Sequence, residues 1–203
     1  MQGAEEVVVP LEAAKGAAPA AIAVRSTLVV NSVSALREHG LVEQYLAALP
    51  AAEHERMLHL TAGAWEPVEL AMAHYRACDA LDVPDSVIDE IGYASGRNIN
   101  ESFLKVVTRL SVEAGLSPWS ALTRSPQLID RIWQGTASAV YKLGPKEARF
   151  EWHGQPLAPS RYFRLAFGAF LRSTLEVFAK TVYVRLVPAR CREDVVVYRC
   201  SWV

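Results

Sequence analysis

The sequence predicts an α+β fold, with a helical N-terminal layer packed against a C-terminal antiparallel sheet of β-β-α-β-β order and one long crossing helix. Three observations carry this expectation. Up to residue 134 apolar residues recur mainly at helical spacing, and from Ala137 the period changes to two. A proline-free amphipathic run from Ser160 to Ala179 then separates two pairs of strand-like segments.

The 203 residues suit one domain, long enough to bury a core without disulfides or metal. With 51% apolar residues, 21% charged residues and a net charge of −1, the composition is that of an ordinary globular chain. The 21 Lys and Arg are scattered, and only Arg161, Arg164 and Arg172 share a helix face, which argues against a nucleic-acid partner. Three irregularly spaced cysteines do not make a secreted disulfide framework. Glu5 and Glu6 stand where a signal peptide would be basic. No apolar run approaches the ~18 residues that an integral membrane segment requires. A cytoplasmic protein is therefore expected.

Between Ala13 and Ala23 the chain is nearly all Ala, Gly and Pro, so residues 1–21 are expected to be a mobile tail, although Val7-Val8-Val9-Pro10 also suits a short edge strand. The domain then spans 22–203, mainly helical over 22–134, with the sheet and long helix over 136–203. The β-branched run Ile22 to Val30 predicts a strand, and Asn31 and Ser32 offer caps for a helix carrying Val33, Leu36, Tyr45 and Leu46. Gly40 divides that run and Pro50 ends it. A short helix over Ala52 to Leu58 follows, and Trp65-Glu66-Pro67 opens a longer one to about Leu81.

Asp85 and Asp89 favour a helix start after Pro84, and Gly92 and Gly96 argue against its continuing past Ala94. Asn98 or Asn100 then caps another helix with a stripe of Phe103, Val106, Val107, Leu110 and Val112, and Gly115 as its C-cap. Ser117-Pro118 and Ser125-Pro126 begin two short helices or turns, the second covering Leu128, Ile129, Ile132 and Trp133. Gly144-Pro145-Lys146 turns a hairpin in which Ala148, Phe150 and Trp152 alternate with Arg149, Glu151 and His153. Val182 to Val187 and Asp194 to Val203 supply two further strands.

Candidate chemistry is sparse. His54 and His59 are five apart, which separates the imidazoles by about 140° on a helix and does not match the four-residue spacing of zinc proteases. His74 lies in an apolar helix and is a candidate ligand to haem iron, although a lone helical His is more often a polar residue at the edge of a core. Cys191 and Cys200 flank the last turn, but zinc needs about four ligands and no others are placed nearby. No nucleophile–base order, phosphate loop or carboxylate pair stands out, so no catalytic residue, metal or cofactor is expected. The aromatic residues Trp119, Trp133, Phe163, Phe167, Phe170 and Phe178 suit either plain core or a lined apolar cavity, with Arg161 or Arg164 as anchors at its mouth.

The order of elements resembles the superfamily of haem nitric oxide/oxygen sensors, vinyl-reductase-type small-molecule-binding domains and trafficking-complex (TRAPP) subunits. Phe167-Gly168-Ala169-Phe170-Leu171, Val182-Tyr183-Val184, and Cys191 and Cys200 around the last hairpin are similar to the vinyl-reductase-type ending. The segment from Leu49-Pro50 through Trp65-Glu66-Pro67 to Ile91-Gly92 resembles bacterial relatives of the sensors. The resemblance implies a small-molecule sensor. A haem sensor of this group carries a Tyr-x-Ser-x-Arg motif, and Tyr198-Arg199-Cys200-Ser201-Trp202 does not supply it. Two functions are expected: a non-enzymatic sensor or regulatory module for a small apolar or amphipathic ligand, or an interaction protein that docks a partner or forms a homodimer.

Overall fold

The computed structural model describes residues 5–11, 18–111 and 117–203, with side chains described throughout except at 99–111. Its elements in chain order are β1 (Glu6–Val9), β2 (Ala23–Arg25), α1 (Ser26–Glu38), α2 (Val42–Ala48), α3 (Ala51–Leu58), β3 (Trp65–Pro67), α4 (Val68–Asp79) and α5 (Asp85–Ser111). There follow α6 (Pro118–Leu122), α7 (Ser125–Ile129), β4 (Trp133–Gln134), β5 (Ala137–Gly144), β6 (Glu147–His153), α8 (Arg161–Leu175), β7 (Val182–Leu186) and β8 (Val195–Trp202). The α+β architecture is as expected, with helices leading and an antiparallel sheet closing the chain. No helix among the described residues is long and apolar enough to cross a membrane.

The main sheet has five strands in the order β1-β5-β6-β8-β7. Period-two alternation decides its faces. Val140, Phe150 and Tyr198 stand in register across β5, β6 and β8 on the inner face, where all three are buried. The outer face carries a polar chain in which Arg149 bonds Glu5 and Glu151, and His153 contacts Glu151 at 3.1 Å. β1 completes this sheet through Val7 opposite Tyr141 and an ion pair of Glu6 with Lys142 at 3.0 Å. The tail expected over residues 1–21 is thus corrected at Glu6–Val9, which form an edge strand; residues 12–17 lie outside the described residues.

A second, three-stranded sheet of order β3-β2-β4 was not foreseen. Its strands are two or three residues long and paired over long sequence distances, so no local alternation announces them. The run Ile22 to Val30 is strand only over Ala23–Arg25. From Ser26 it is helix, because Val29, Val33 and Leu36 are spaced to form one buried stripe and that packing overrides β-branched propensity. Ser26 fixes the junction, donating to Thr61 O at 2.7 Å and accepting from Ala64 N at 2.9 Å. Trp65 to Pro67 pair with β2 rather than starting α4, and the Arg25 guanidinium lies over the Trp65 ring at 4.2 Å.

The largest departure is α5, one continuous helix where two were expected. Gly92 and Gly96 do not break it. Four residues apart, they face the same way, and a Cβ on Gly92 would stand 2.2 Å from Ala166 O, while one on Gly96 would stand 2.1 Å from Ser173 Oγ. The glycines let α8 approach closely. The expected stripe from Phe103 to Val112 and the cap at Gly115 fall outside the described side chains and residues. Two charged clamps close the same contact: Arg161 pairs with Asp85, and Arg172 with Asp89 at 2.7 and 3.2 Å. α8 is capped by Ser160, whose side chain accepts from Phe163 N at 3.0 Å, and it lies between α5 and the inner face of the sheet.

Candidate functional site

The inner face of α8 carries Phe163, Phe167 and Phe170 at i, i+4 and i+7, so their rings form a ladder, near-parallel at 15° and 14° with centroids 5.8 and 5.7 Å apart. The ladder has two ends with different surroundings. Phe163 meets Trp152 at 5.7 Å and Trp133 at 6.4 Å, and all three are buried in close-packed core. Phe167 and Phe170 instead face a cavity of about 340 Å³.

That cavity lies between the short helices α6 and α7 on one side and α8 on the other, with Phe150 of the sheet behind it. Ala121, Leu122, Leu128, Ile129 and Ile132 line the first wall. Leu171, Leu175, Val177 and Phe178 continue the second. The break at Ser125-Pro126 keeps α6 and α7 short and separate, so this wall consists of two single-turn segments rather than one helix that would pack flush. The interior polar groups are already engaged. Ser125 Oγ is 3.0 Å from Ser138 Oγ, Thr174 donates to Phe170 O at 3.0 Å, and Ser120 Oγ accepts from Ser117 N at 3.3 Å. Two guanidinium residues, Arg124 and Arg131, also belong to the lining, and both are exposed.

Of the aromatic residues expected to line a cavity, Phe167, Phe170 and Phe178 do so. Trp133 and Phe163 belong to the core and border only a second void of about 30 Å³, large enough for one water. Trp119 faces elsewhere, edge-on to Trp202 at 5.2 Å and donating to Pro145 O at 2.9 Å. The two expected anchors are also corrected. Arg161 is held by Asp85 and Val83 O at the α5–α8 clamp, and Arg164 is not among the lining residues; its carbonyl accepts from Tyr198 Oη at 2.7 Å. Sequence reasoning missed Arg124, Arg131 and the aliphatic wall from Leu128 to Ile132. The one available signal was the Ser-Pro break, which sets Arg124 at a helix junction.

Haem, which the resemblance raises, needs an axial His, Cys, Met or Tyr. No such residue lines the cavity, and residues 99–116 contain none in sequence. All five histidines are accounted for elsewhere. His74 is fully buried with Nδ1 2.9 Å from Tyr45 Oη and Nε2 2.9 Å from Ser32 Oγ; burial lowers its pKa to about 3, so it is a neutral core residue with both nitrogens occupied. His54 contacts Leu49 O, His39 and His59 follow α1 and α3, and His153 is on the outer sheet face. The residues present do not fit haem. Among the described residues no group of three or more His, Cys, Asp and Glu converges on a metal position. Cys191 and Cys200 do not pair: Cys200 is buried on the inner face, where burial pushes its thiol up to about 12, and Cys191 Sγ accepts from Val197 N at 3.4 Å.

No protein-family model matches the chain, and no curated protein matches it. Among solved structures it is similar to a Cs H-NOX mutant carrying an unnatural amino acid, with 13% identity, a TM-score of 0.61, and coverage of 88% of this chain and 96% of that one. It is also similar to an oxygen-binding H-NOX domain related to soluble guanylate cyclases, with 13% identity, a TM-score of 0.57, and coverage of 88% and 94%. A third similarity is to a structure probing the function of heme distortion in the H-NOX family, with 13% identity, a TM-score of 0.60, and coverage of 88% and 94%. These likenesses show that this chain has the H-NOX fold.

Proposed function

We propose that the chain is a non-enzymatic sensor or regulatory module that takes a small apolar or amphipathic organic molecule, and not haem, into the cavity between α6–α7 and α8. The carrying observation is the lining: among the described residues both walls present apolar side chains, the Ser125 and Thr174 hydroxyls are already paired, and no group able to ligate iron is present. A void of about 340 Å³ falls within the usual size range of small-molecule sites. A fold shared with an oxygen-binding H-NOX domain supports the reading at the level of architecture.

The test uses the neutral dye N-phenyl-naphthylamine, the absorbance spectrum and the native mass of the purified chain. The expected result is one dye molecule per chain, no Soret band after incubation with haemin, and loss of dye binding in Leu128→Trp, whose indole would fill the void. Absence of saturable dye binding, or a stoichiometric haem complex, would overturn the proposal.

A further inference from the structure

We infer that the cavity selects an organic monoanion, an apolar body with a single carboxylate head, and that Arg124 is the residue that holds the head; this rests on the cavity being the ligand site. The selection follows from where polarity remains. Inside, the Ser125 and Thr174 hydroxyls are spent on Ser138 and on a backbone carbonyl, so a polar group carried into the interior would lose its water without replacement. At the rim the lining holds two guanidiniums and, among the described residues, no carboxylate. A ligand is therefore apolar along its length and negative at its exposed end.

Arg124 is the anchor of the two. It sits in the junction between α6 and α7, exposed, and its side chain makes no ion pair or hydrogen bond among the described residues, whereas Arg161, Arg172 and Arg199 are each committed to a carboxylate. Arg131 is already engaged in the fold, its carbonyl accepting from Arg25 Nε at 3.4 Å. The planar fork of a guanidinium matches a carboxylate in two parallel hydrogen bonds, which an ammonium cannot reproduce.

Isothermal titration of decanoate and decanol, equal in chain length and differing in head, into the full chain and into Arg124→Gln and Arg124→Lys tests this. The native chain is expected to bind decanoate about tenfold or more tightly than decanol. Arg124→Gln should remove that preference by weakening decanoate about tenfold more than decanol, and Arg124→Lys should restore part of it. Equal affinity for the two, or a decanoate preference that survives Arg124→Gln, would overturn the inference and leave the cavity reading standing. Binding of neither ligand, together with no uptake of the neutral dye, would overturn both.

Discussion

Gly92 of α5 lies so close to Ala166 of α8 that a Cβ at position 92 would stand 2.2 Å from the Ala166 carbonyl oxygen and 2.5 Å from its Cα. The obstacle is backbone, which cannot rotate aside. Gly92→Ala must therefore push the two helices apart, at a cost of about 1–3 kcal/mol typical of overpacking. Gly168→Ala is the contrast, since its added methyl meets only the ring of Tyr198 at 3.2 Å and gains helix propensity, and it should change stability by less than about 1 kcal/mol. Urea midpoints at unchanged slope measure both; a neutral Gly92→Ala would contradict the close contact.

The same contact shows what was legible in the sequence. The β5–β6 hairpin and α8 are governed by their own periodicity, so Phe150 and Trp152 could be placed inward and Phe167 and Phe170 on one face from local pattern alone. The continuity of α5 was not legible, because a glycine that admits a neighbouring helix looks identical in sequence to one that ends a helix. Which rings meet a void is likewise a property of the opposing wall: Phe163 faces Trp133 and Trp152, whereas Phe170, seven residues on, faces the gap beside α7. The role of Arg161 depended on Asp85, 76 residues away, and no spacing rule connects them.

His74 makes the fold acid-sensitive. Its pKa is near 6.5 when exposed and falls to about 3 in the core through burial, so between those values the unfolded chain binds a proton that the folded chain refuses. This contribution is fully present above pH 6.5 and is lost as pH falls toward 3, at about 1.4 kcal/mol per pH unit. Thermal melts from neutral to acidic pH should show that decline, and His74→Asn should flatten it at the expense of lower stability at neutral pH. An identical pH slope in the variant would contradict the assignment.

Trp119 is a structural residue. Trp119→Phe loses the hydrogen bond to Pro145 O and should cost about 1 kcal/mol, while decanoate and dye binding stay within about twofold of native. A tenfold loss of binding without a fall in melting temperature would place Trp119 in the site after all.

Arg161 separates clamp from anchor in the same way. The Arg161–Asp85 pair is exposed, so Arg161→Gln should lower stability by no more than about 1 kcal/mol and leave decanoate affinity unchanged, in contrast to Arg124→Gln. Parallel titration of the two variants distinguishes them; equal losses would remove the special role given to Arg124.

The position of a bound ligand distinguishes the cavity from the surface. Methyl-labelled NMR of the full chain titrated with decanoate reports this at once, because Ile129, Leu171 and Val177 line the cavity whereas Val7 and Val203 are exposed and outside its lining. The prediction is saturable shifts at Ile129, Leu171 and Val177 with Val7 and Val203 unmoved. Shifts confined to exposed methyls, or none at saturating decanoate, would contradict it.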